Sequence, residues 1–370
     1  MIRVLQVLPR LRRGGSQAMV MNIYRSIDHN KIQFDFIIFT KDHDDYYDEI
    51  IANGGRVYHF EKFNGLNFFK IKSNFNKFLR EHNEYKIIHF HVYSTASIYI
   101  PVAKKNGLKT IIHSHSTSNG KGVMALIKNA LQLPLRNQAD YLFACSSEAG
   151  KWLYGKKAIS RDNYFFIPNG IPLNQFNFSK EKRMNIRKKY NIEDCKVIGH
   201  VGGFEVPKNH QFIIKVFYEL CKNDENYRLM LVGDGTFEGK IREIVNELNI
   251  GDKVIFSGLQ ADVSPYLSAM DVFFFPSLWE GLPVSVVEAQ ASGLKCIISD
   301  SITKDIFLTD LVSYVSLDEP IEEWKKRICD ASSHSRTEIN AENLVKMEDF
   351  DIENVTKKIE TFYISLLKNE

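Results

Sequence analysis

Two hydrophobic rhythms alternate along the chain. Short apolar runs rich in Val, Ile and Phe read as buried strands: IRVLQVLP, FDFIIFT, KIIHFHV, KTIIHSH and YLFACS in the first half, VIGHVGGF, YRLMLVGDG, KVIFSGL, DVFFFPS and KCIISD in the second. Between them, stretches such as SQAMVMNIYRSI, NHQFIIKVFYELCKN and GKIREIVNELNI read as helices. Strands that alternate with helices throughout predict parallel sheets covered by helices on both faces. The pattern runs through once, restarts after IPNGIP, and runs through again. Asn169-Gly170, flanked by Pro168 and Pro172, is turn chemistry and places the hinge there. The expected fold is α/β, two doubly wound domains over 1–168 and 169–345, with ligand in a cleft at the carboxyl ends of the strands. A tail over 346–370 sets Ile352, Val355, Ile359, Phe362 and Leu366 at helical spacing, which on pattern alone suits an amphipathic cap on the second domain.

Composition narrows the class. A chain of 370 residues is too long for one ordinary core and suits two domains. Its 44% hydrophobic and 25% charged residues are those of a soluble globular protein. No apolar run approaches the roughly 20 residues that span a bilayer. The N-terminal MIRVLQVLPRLRRGG has its basic residues on the wrong side of the apolar run for a secretory leader. Cys145, Cys195, Cys221, Cys296 and Cys329 are scattered and form no C-x-x-C, which fits a reducing compartment; the expected location is cytoplasmic. Charge is divided unevenly. Residues 1–168 hold 24 Lys and Arg against 13 Asp and Glu, net +11, and residues 169–370 hold 24 against 32, net −8. The basic half is suited to face something anionic.

The most informative stretch is PSLWEGLPVSVVEAQASG, from Pro276 to Gly293. DVFFF is a strand, PSLWEG the loop after it, and Pro283 a fitting first helical residue. VSVVEAQAS is then a helix, ended by Gly293 in the left-handed conformation. Glu280 falls in the strand-to-helix loop. The N–H groups of Gly281, Leu282 and the first helical turn favour an anion such as phosphate. Glu288 lies about two turns further in. Two carboxylates beside a phosphate-shaped hole suit hydroxyl groups, as on a sugar and a ribose. A helix cap plus one solvated glutamate is the plainer account of the same spacing.

EGLPVSVVEAQASG resembles the E-x7-E signature of family-4 retaining glycosyltransferases with the GT-B fold, two Rossmann-like domains facing across a cleft. Other segments resemble the family in order: RRGGSQAMVMNIYRSID its first loop and helix, IIHSHS its strand-end histidine, IPNGIPLNQF its linker, and HVGGFEVPKNH its phosphate-binding element. The resemblance covers nearly the whole chain and points to bacterial enzymes of exopolysaccharide or capsule assembly. It implies an acceptor-binding first domain, a nucleotide-sugar-binding second domain, and a last helix that crosses back onto the first. It implies that Glu288 binds ribose hydroxyls, Glu280 the donor sugar, and the amides of Gly281 and Leu282 donor oxygens. Lys208 would neutralise the leaving diphosphate, and Gly14 and Gly15 would let the first loop approach the donor. His115 would face the sugar near the reacting carbon, with His113 as the alternative in the HSH doublet. In this family the leaving phosphate is thought to help deprotonate the acceptor on the same face. Two departures stand out: Gly203 where the family usually has Arg, with Arg12 or Arg13 as substitutes, and Gln17 where a glutamate is common.

Three other patterns compete. Asp42-His43-Asp44 and Asp349-Phe350-Asp351 are D-x-D strings of the kind that hold metal diphosphates, and also of solvated acidic loops. His89/His91 and His113/His115 are H-x-H pairs, each on one strand face, and could bind zinc. GDGTFEG misses the dinucleotide spacing by one. The expectation is a hexosyl transfer from a nucleotide-sugar, a UDP-sugar, to a glycan or polyprenyl-diphosphate-linked acceptor, with no metal or other cofactor and no nucleic acid partner. The basic first domain would dock peripherally on the anionic inner face of the plasma membrane. The alternatives are a non-catalytic nucleotide- or glycan-binding protein on the same fold and a metal-dependent hydrolase using the H-x-H pairs.

Overall fold

The computed structural model describes residues 1–120, 122–333, 336 and 347–368. The chain divides into two units, Met1–Ile171 with Asp349–Glu370, and Pro172–Glu348. The expected boundary at 345/346 lies outside the described residues. Gly170 has no left-handed backbone. A Cβ there would stand 3.0 Å from Ile352 Cα and 3.1 Å from Val355 Cβ. The glycine of IPNGIP therefore serves close approach of the returning chain, which a bridge between Ile171 and Asp351 fixes.

The first unit is built on seven parallel strands: β1 (Ile2–Val7), β2 (Ile32–Ile38), β3 (Val57–His59), β4 (Ile87–Phe90), β5 (Lys109–Ser114), β6 (Tyr141–Ala144) and β7 (Tyr164–Phe166). Their order across the sheet is β3-β2-β1-β4-β5-β6-β7. Both faces are buried. The helices Gly15–Ser26 and Ile352–Lys368 cover one, with Met19, Val20, Ile23, Val355, Ile359 and Tyr363 in the core. The helices Phe68–Glu81, Ala96–Lys105 and Ser147–Tyr154 cover the other. In the last helix Tyr363 is the fully buried aromatic, while Phe362 is partly buried against Tyr141, Phe143 and Phe165.

The second unit repeats the plan with six parallel strands: β8 (Lys196–Val201), β9 (Tyr227–Val232), β10 (Val254–Gly258), β11 (Val272–Phe275), β12 (Lys295–Ser299) and β13 (Val312–Val315), in the order β10-β9-β8-β11-β12-β13. Near-continuous apolar runs such as VFFF in β11 have both faces buried, as parallel sheets require. Each sheet is thus doubly wound, as the alternating pattern predicts.

Candidate active site

In each sheet the strand order reverses once, and ligands of such sheets bind outside the carboxyl ends of the strands at that point. In the second unit the reversal falls between β8 and β11. The loop leaving β8 carries Lys208, and the loop leaving β11 carries Glu280. Two hydrogen bonds tie these loops together: Asn209 Nδ2 donates to Pro276 O at 3.1 Å, and Leu278 N donates to Pro207 O at 2.8 Å. Asn209 takes the left-handed backbone, φ 57°, which asparagine tolerates well. The result brings Lys208 Nζ to 2.7 Å from Glu280 Oε1 and to 4.7 Å from the centre of the Phe275 ring. Both side chains are mostly buried, at 20% and 14% exposure, so each needs the other's charge.

Gly203 lies in the same loop. Phe204 N donates to Asp234 O at 2.8 Å, and a Cβ on Gly203 would stand 3.3 Å from that oxygen. A Cβ on Gly233, φ +142°, would stand 2.3 Å from Gly202 O. The loops after β8 and β9 are therefore packed backbone to backbone. A side chain at Gly203 needs Asp234 O to give by a few tenths of an ångström.

The helix after Glu280 runs Val284–Ala291. Pro283 is the residue before it, with an extended backbone (φ −76°, ψ 90°), not the first helical residue as expected. Gly293 ends the segment with φ 72°, the left-handed stop the sequence predicts. Leu282 is buried and Gly281 partly exposed at the entrance to the helix. Glu288 is only partly buried, and its carboxyl accepts no hydrogen bond among the described residues. Burial, with Asp262 adding repulsion, pushes this carboxyl up to about 7. A carboxyl so placed gains from hydroxyl donors, which a vicinal diol supplies in pairs.

His200 and His210 were not foreseen as members of this corner. His200 Nδ1 lies 2.9 Å from Phe274 O, and its ring meets His210 edge-on at 4.9 Å. Burial holds both imidazoles below the ordinary range, His210 down to about 4 with the Lys208 charge contributing. They stay neutral and leave the charge to the Lys208–Glu280 pair. The Asn of PKNH signals a left-handed turn before the helix, but not the bond it makes to Pro276.

In the first unit the reversal falls between β1 and β4. Gly14 has ordinary extended backbone (φ −176°), and a Cβ there would meet Gln17 Oε1 at 2.9 Å. A side chain at Gly15 would meet no atom within 4 Å, so the fold itself does not require glycine at that position. Arg12 and Arg13 are exposed on the same loop. The Asp42-His43-Asp44 string is occupied in holding this loop. Asp44 accepts from Leu11 N at 3.0 Å and from Arg10 at 3.3 Å, and Asp45 accepts from Arg13 N at 2.8 Å. In the second string Asp351 accepts from Glu353 N, and Asp349 pairs with Lys358 at 2.6 Å. Both strings do local structural work.

At the ends of β4 and β5, His89, His91, His113 and His115 form a stack of rings. Nitrogens of His89, His91 and His113 lie within 4.8 Å of one another, the spacing of a metal set. Yet the rings of His89 and His113 are 7° from parallel with centres 5.4 Å apart, and those of His113 and His115 are 28° apart at 4.1 Å. Imidazole lone pairs lie in the ring plane, so stacked planes do not aim at one point. The arrangement is a ladder of neutral imidazoles; burial lowers all four, His115 to about 3. Three of its contacts are held by the fold, while His89 Nε2, both nitrogens of His113 and His115 Nδ1 are buried with no hydrogen-bond partner among the described residues. His91 Nε2 lies 2.9 Å from Gln6 Oε1, His91 Nδ1 lies 2.8 Å from His115 Nε2, and His89 Nδ1 lies 2.6 Å from Tyr363 Oη. Of the HSH doublet, His113 is fully buried and His115 is partly exposed.

Comparison with known proteins agrees with this geometry. Residues 13–175 match the family Glycosyltransferase Family 4, and residues 182–341 match Glycosyl transferases group 1. The chain is 34% identical over 377 residues to EpsF of Bacillus subtilis, which carries a glycosyltransferase name, covering 99% of this chain and 98% of that protein. It is 24% identical over 310 residues to the UDP-Gal:alpha-D-GlcNAc-diphosphoundecaprenol alpha-1,3-galactosyltransferase of Escherichia coli, covering 79% and 78%. The Anabaena protein HepE, solved in complex with UDP, superposes with a TM-score of 0.80 over 99% of this chain and 100% of that one, at 16% identity. That likeness is one of fold, the two Rossmann-like domains of the GT-B type.

Proposed function

Because the chain belongs to the family-4 glycosyltransferases, we propose that it transfers a hexose from a UDP-sugar, with retention, to a lipid-diphosphate-linked glycan during assembly of a surface polysaccharide. The observation that carries this reading is the Lys208–Glu280 pair at the β8/β11 reversal, with Glu288 and its raised carboxyl on the helix that follows. Breaking a sugar–phosphate bond builds negative charge on the departing diphosphate. A cation already held in place stabilises that charge as it develops. Lys208 is that cation, and the amides of Gly281 and Leu282 assist it. Glu280 orients the lysine and accepts from donor-sugar hydroxyls. Glu288 accepts from the ribose diol. In the first unit, His115 contacts the sugar near the reacting carbon, and the Gly14-Gly15 loop approaches the donor. With Lys208 in this role the reaction needs no metal. The UDP-bound HepE and the diphosphoundecaprenol-linked acceptor of the E. coli relative support the donor and acceptor classes. A lipid-linked acceptor places the enzyme peripherally at the cytoplasmic face of the plasma membrane, as the net +11 of residues 1–168 favours.

The test is product formation from a panel of UDP-sugars and polyprenyl-diphosphate glycans, with the anomeric configuration read by NMR. Release of UDP coupled to a new α-linked product from an α-linked donor supports the reading; an inverted product overturns retention. A second reading, a nucleotide- or glycan-binding protein without catalysis, is favoured by Gly203, where the usual second cation is missing. Tight UDP binding without turnover on every acceptor would establish it.

A further inference from the structure

The loop that leaves β8, GGFEVPKN, carries one cation, Lys208, so the placement of that charge rests on what its side chain touches. A Cβ on Gly202 would stand 3.1 Å from Lys208 Cδ, 3.1 Å from Lys208 Cε and 2.9 Å from His200 Nε2. The lysine stem and the edge of the His200 ring thus converge on the bare Cα of Gly202. Gly202 is not among the left-handed glycines, so it supplies room here, not conformational freedom.

The two neighbours are not equally free to move. His200 is fully buried. Its Nδ1 lies 2.9 Å from Phe274 O, a carbonyl that can only accept, so Nδ1 carries the ring proton. That bond ties the end of β8 to β11, the two strands at the reversal. The ring also lies along that of Phe275, 5.2 Å away and 19° from parallel. Its other nitrogen, Nε2, has no hydrogen-bond partner among the described residues, and in the neutral ring it carries no proton. The ring atom nearest the Gly202 gap is therefore a lone pair, which does not oppose an ammonium. Lys208 is held at its tip, 2.7 Å from Glu280 Oε1 and 4.7 Å over the Phe275 ring. A packed, hydrogen-bonded ring resists displacement, whereas a lysine stem turns about four bonds. Anything added at Gly202 moves the lysine.

We propose that His200 and Gly202 are positioning residues for Lys208: the anchored imidazole and the bare Cα beside it form the wall along which the stem lies, and so fix the ammonium beside Glu280 before a donor binds. This deepens the proposed function and rests on Lys208 acting at the donor diphosphate. It names what orders the stem, which one ion pair at the tip leaves free to turn.

The test follows the lysine itself, in full-length protein labelled with 13C at the lysine ε-carbons. The Phe275 ring current should shift the Lys208 resonance upfield, and Lys208→Ala assigns that resonance by its loss. Gly202→Ala should abolish most of the shift with no donor or acceptor present. His200→Asn keeps a donor for Phe274 O and removes the ring edge, and should do the same. Turnover of Gly202→Ala should fall about ten- to a hundredfold, the cost of a small misplacement at a reacting centre. KM for the donor should change much less. In the Lys208→Ala background Gly202→Ala should cost nothing further, because both changes act through one group. A Lys208 resonance unmoved in Gly202→Ala overturns the proposal, and one unmoved in His200→Asn overturns the part given to His200. A further loss of turnover in the double variant equal to that of Gly202→Ala alone also overturns it. If Gly202→Ala fails to fold, the double variant decides: folding regained without the lysine supports the contact, and failure of both overturns it. A parent without turnover on any donor would show the failure of the glycosyltransferase reading separately, since the resonance is read without substrate.

Discussion

The two units share a topology, and each holds a buried ion pair (Arg3 with Asp35 in the first), but they arrange charge differently at the carboxyl ends of their strands. Around β8 and β11 the charged residues meet as a pair, Lys208 with Glu280, mostly out of solvent. At the ends of β4 and β5 burial holds the histidines neutral, while Arg12 and Arg13 on the loop after β1 are exposed. A buried charge needs a partner at fixed distance, which demands loops locked to each other; the Asn209–Pro276 and Leu278–Pro207 bonds are that lock. Cations at a surface need no such geometry and attract anything anionic over about 8–10 Å at physiological salt. The first arrangement suits close recognition of one small anion, and the second attraction of a charged partner from a distance.

The sharpest way to break this comparison is to remove the buried cation. Lys208→Ala should lower turnover by about 10²–10³, the scale of losing one preorganised donor at a developing charge. Affinity for the intact donor should fall much less, because charge on the diphosphate grows as the bond breaks. Glu280→Gln in the Lys208→Ala background controls for the carboxylate left alone. Steady-state kinetics on the set distinguishes the cases: a rise in KM with turnover intact makes Lys208 a ground-state anchor. Gly203→Arg should restore part of the loss only if the loop after β9 gives way around Asp234 O. If that variant fails to fold, Arg12 and Arg13 become the places to look for the second cation.

Next in size is the ribose contact. Glu288→Ala should weaken UDP binding about ten- to a hundredfold, since a hydrogen bond to a charged group is worth roughly 1.5–3 kcal/mol. Calorimetric titration checks it. UDP bound equally well by the variant removes Glu288 from the donor site, whatever the kinetics show.

How much of this could be read from the chain follows the same division. Strands buried on both faces, such as VFFF and YRLMLV, are continuous apolar runs and were legible. β3, β7 and β13, at the ends of their sheets, were not: VYH, YFF and VSYV are three or four residues long and only half covered. Glu280, Glu288 and Lys208 stood in motifs with local signals, but the meeting of Lys208 with Glu280 depends on loops far apart in sequence. Nothing in PKNH or PSLWEG alone says that Asn209 clasps Pro276. Asn169-Gly170 reads as a turn because local chemistry cannot show that Ile352 passes beside the glycine. The D-x-D strings are ambiguous for a related reason, since a carboxylate capping a backbone N–H and one holding a metal have the same spelling.

The first unit offers a smaller test. Tyr363, on the returning helix, lies 2.6 Å from His89 Nδ1 and accepts from Gln6 Nε2 at 3.3 Å. Tyr363→Phe keeps the packing and leaves both groups short of a partner in the core. Stability should fall by about 1–3 kcal/mol, the cost of an unsatisfied buried polar group. Urea unfolding measures this. UDP affinity should not change under conditions where the variant is folded. A loss of UDP affinity in the folded variant would show that the two units are coupled more tightly than their separate cores require.

The smallest effect turns on a sign. The Glu288 carboxyl is raised from 4.5 to about 7 in the folded chain, by burial first and Asp262 second. A carboxyl raised on folding stabilises the fold fully below its unfolded value, and that contribution is lost as pH rises through the folded one. At about pH 8 the unliganded parent therefore carries an ionised, half-buried carboxylate at a cost. Glu288→Gln keeps the shape and removes the charge. It should be more stable than the parent at about pH 8, by about 1–2 kcal/mol once partial exposure is allowed for, and the gain should fade as pH falls toward 4.5. UDP should reverse the order, because the ionised carboxylate accepts from both ribose hydroxyls and the amide cannot. The parent's UDP affinity should itself fall as pH drops through about 7, toward that of the variant. Thermal unfolding with and without UDP across this range checks both signs. A variant no more stable than the parent at high pH would mean the carboxyl is better solvated than its position on the helix implies; a variant that binds UDP as well as the parent would mean the charge is kept for something other than the ribose.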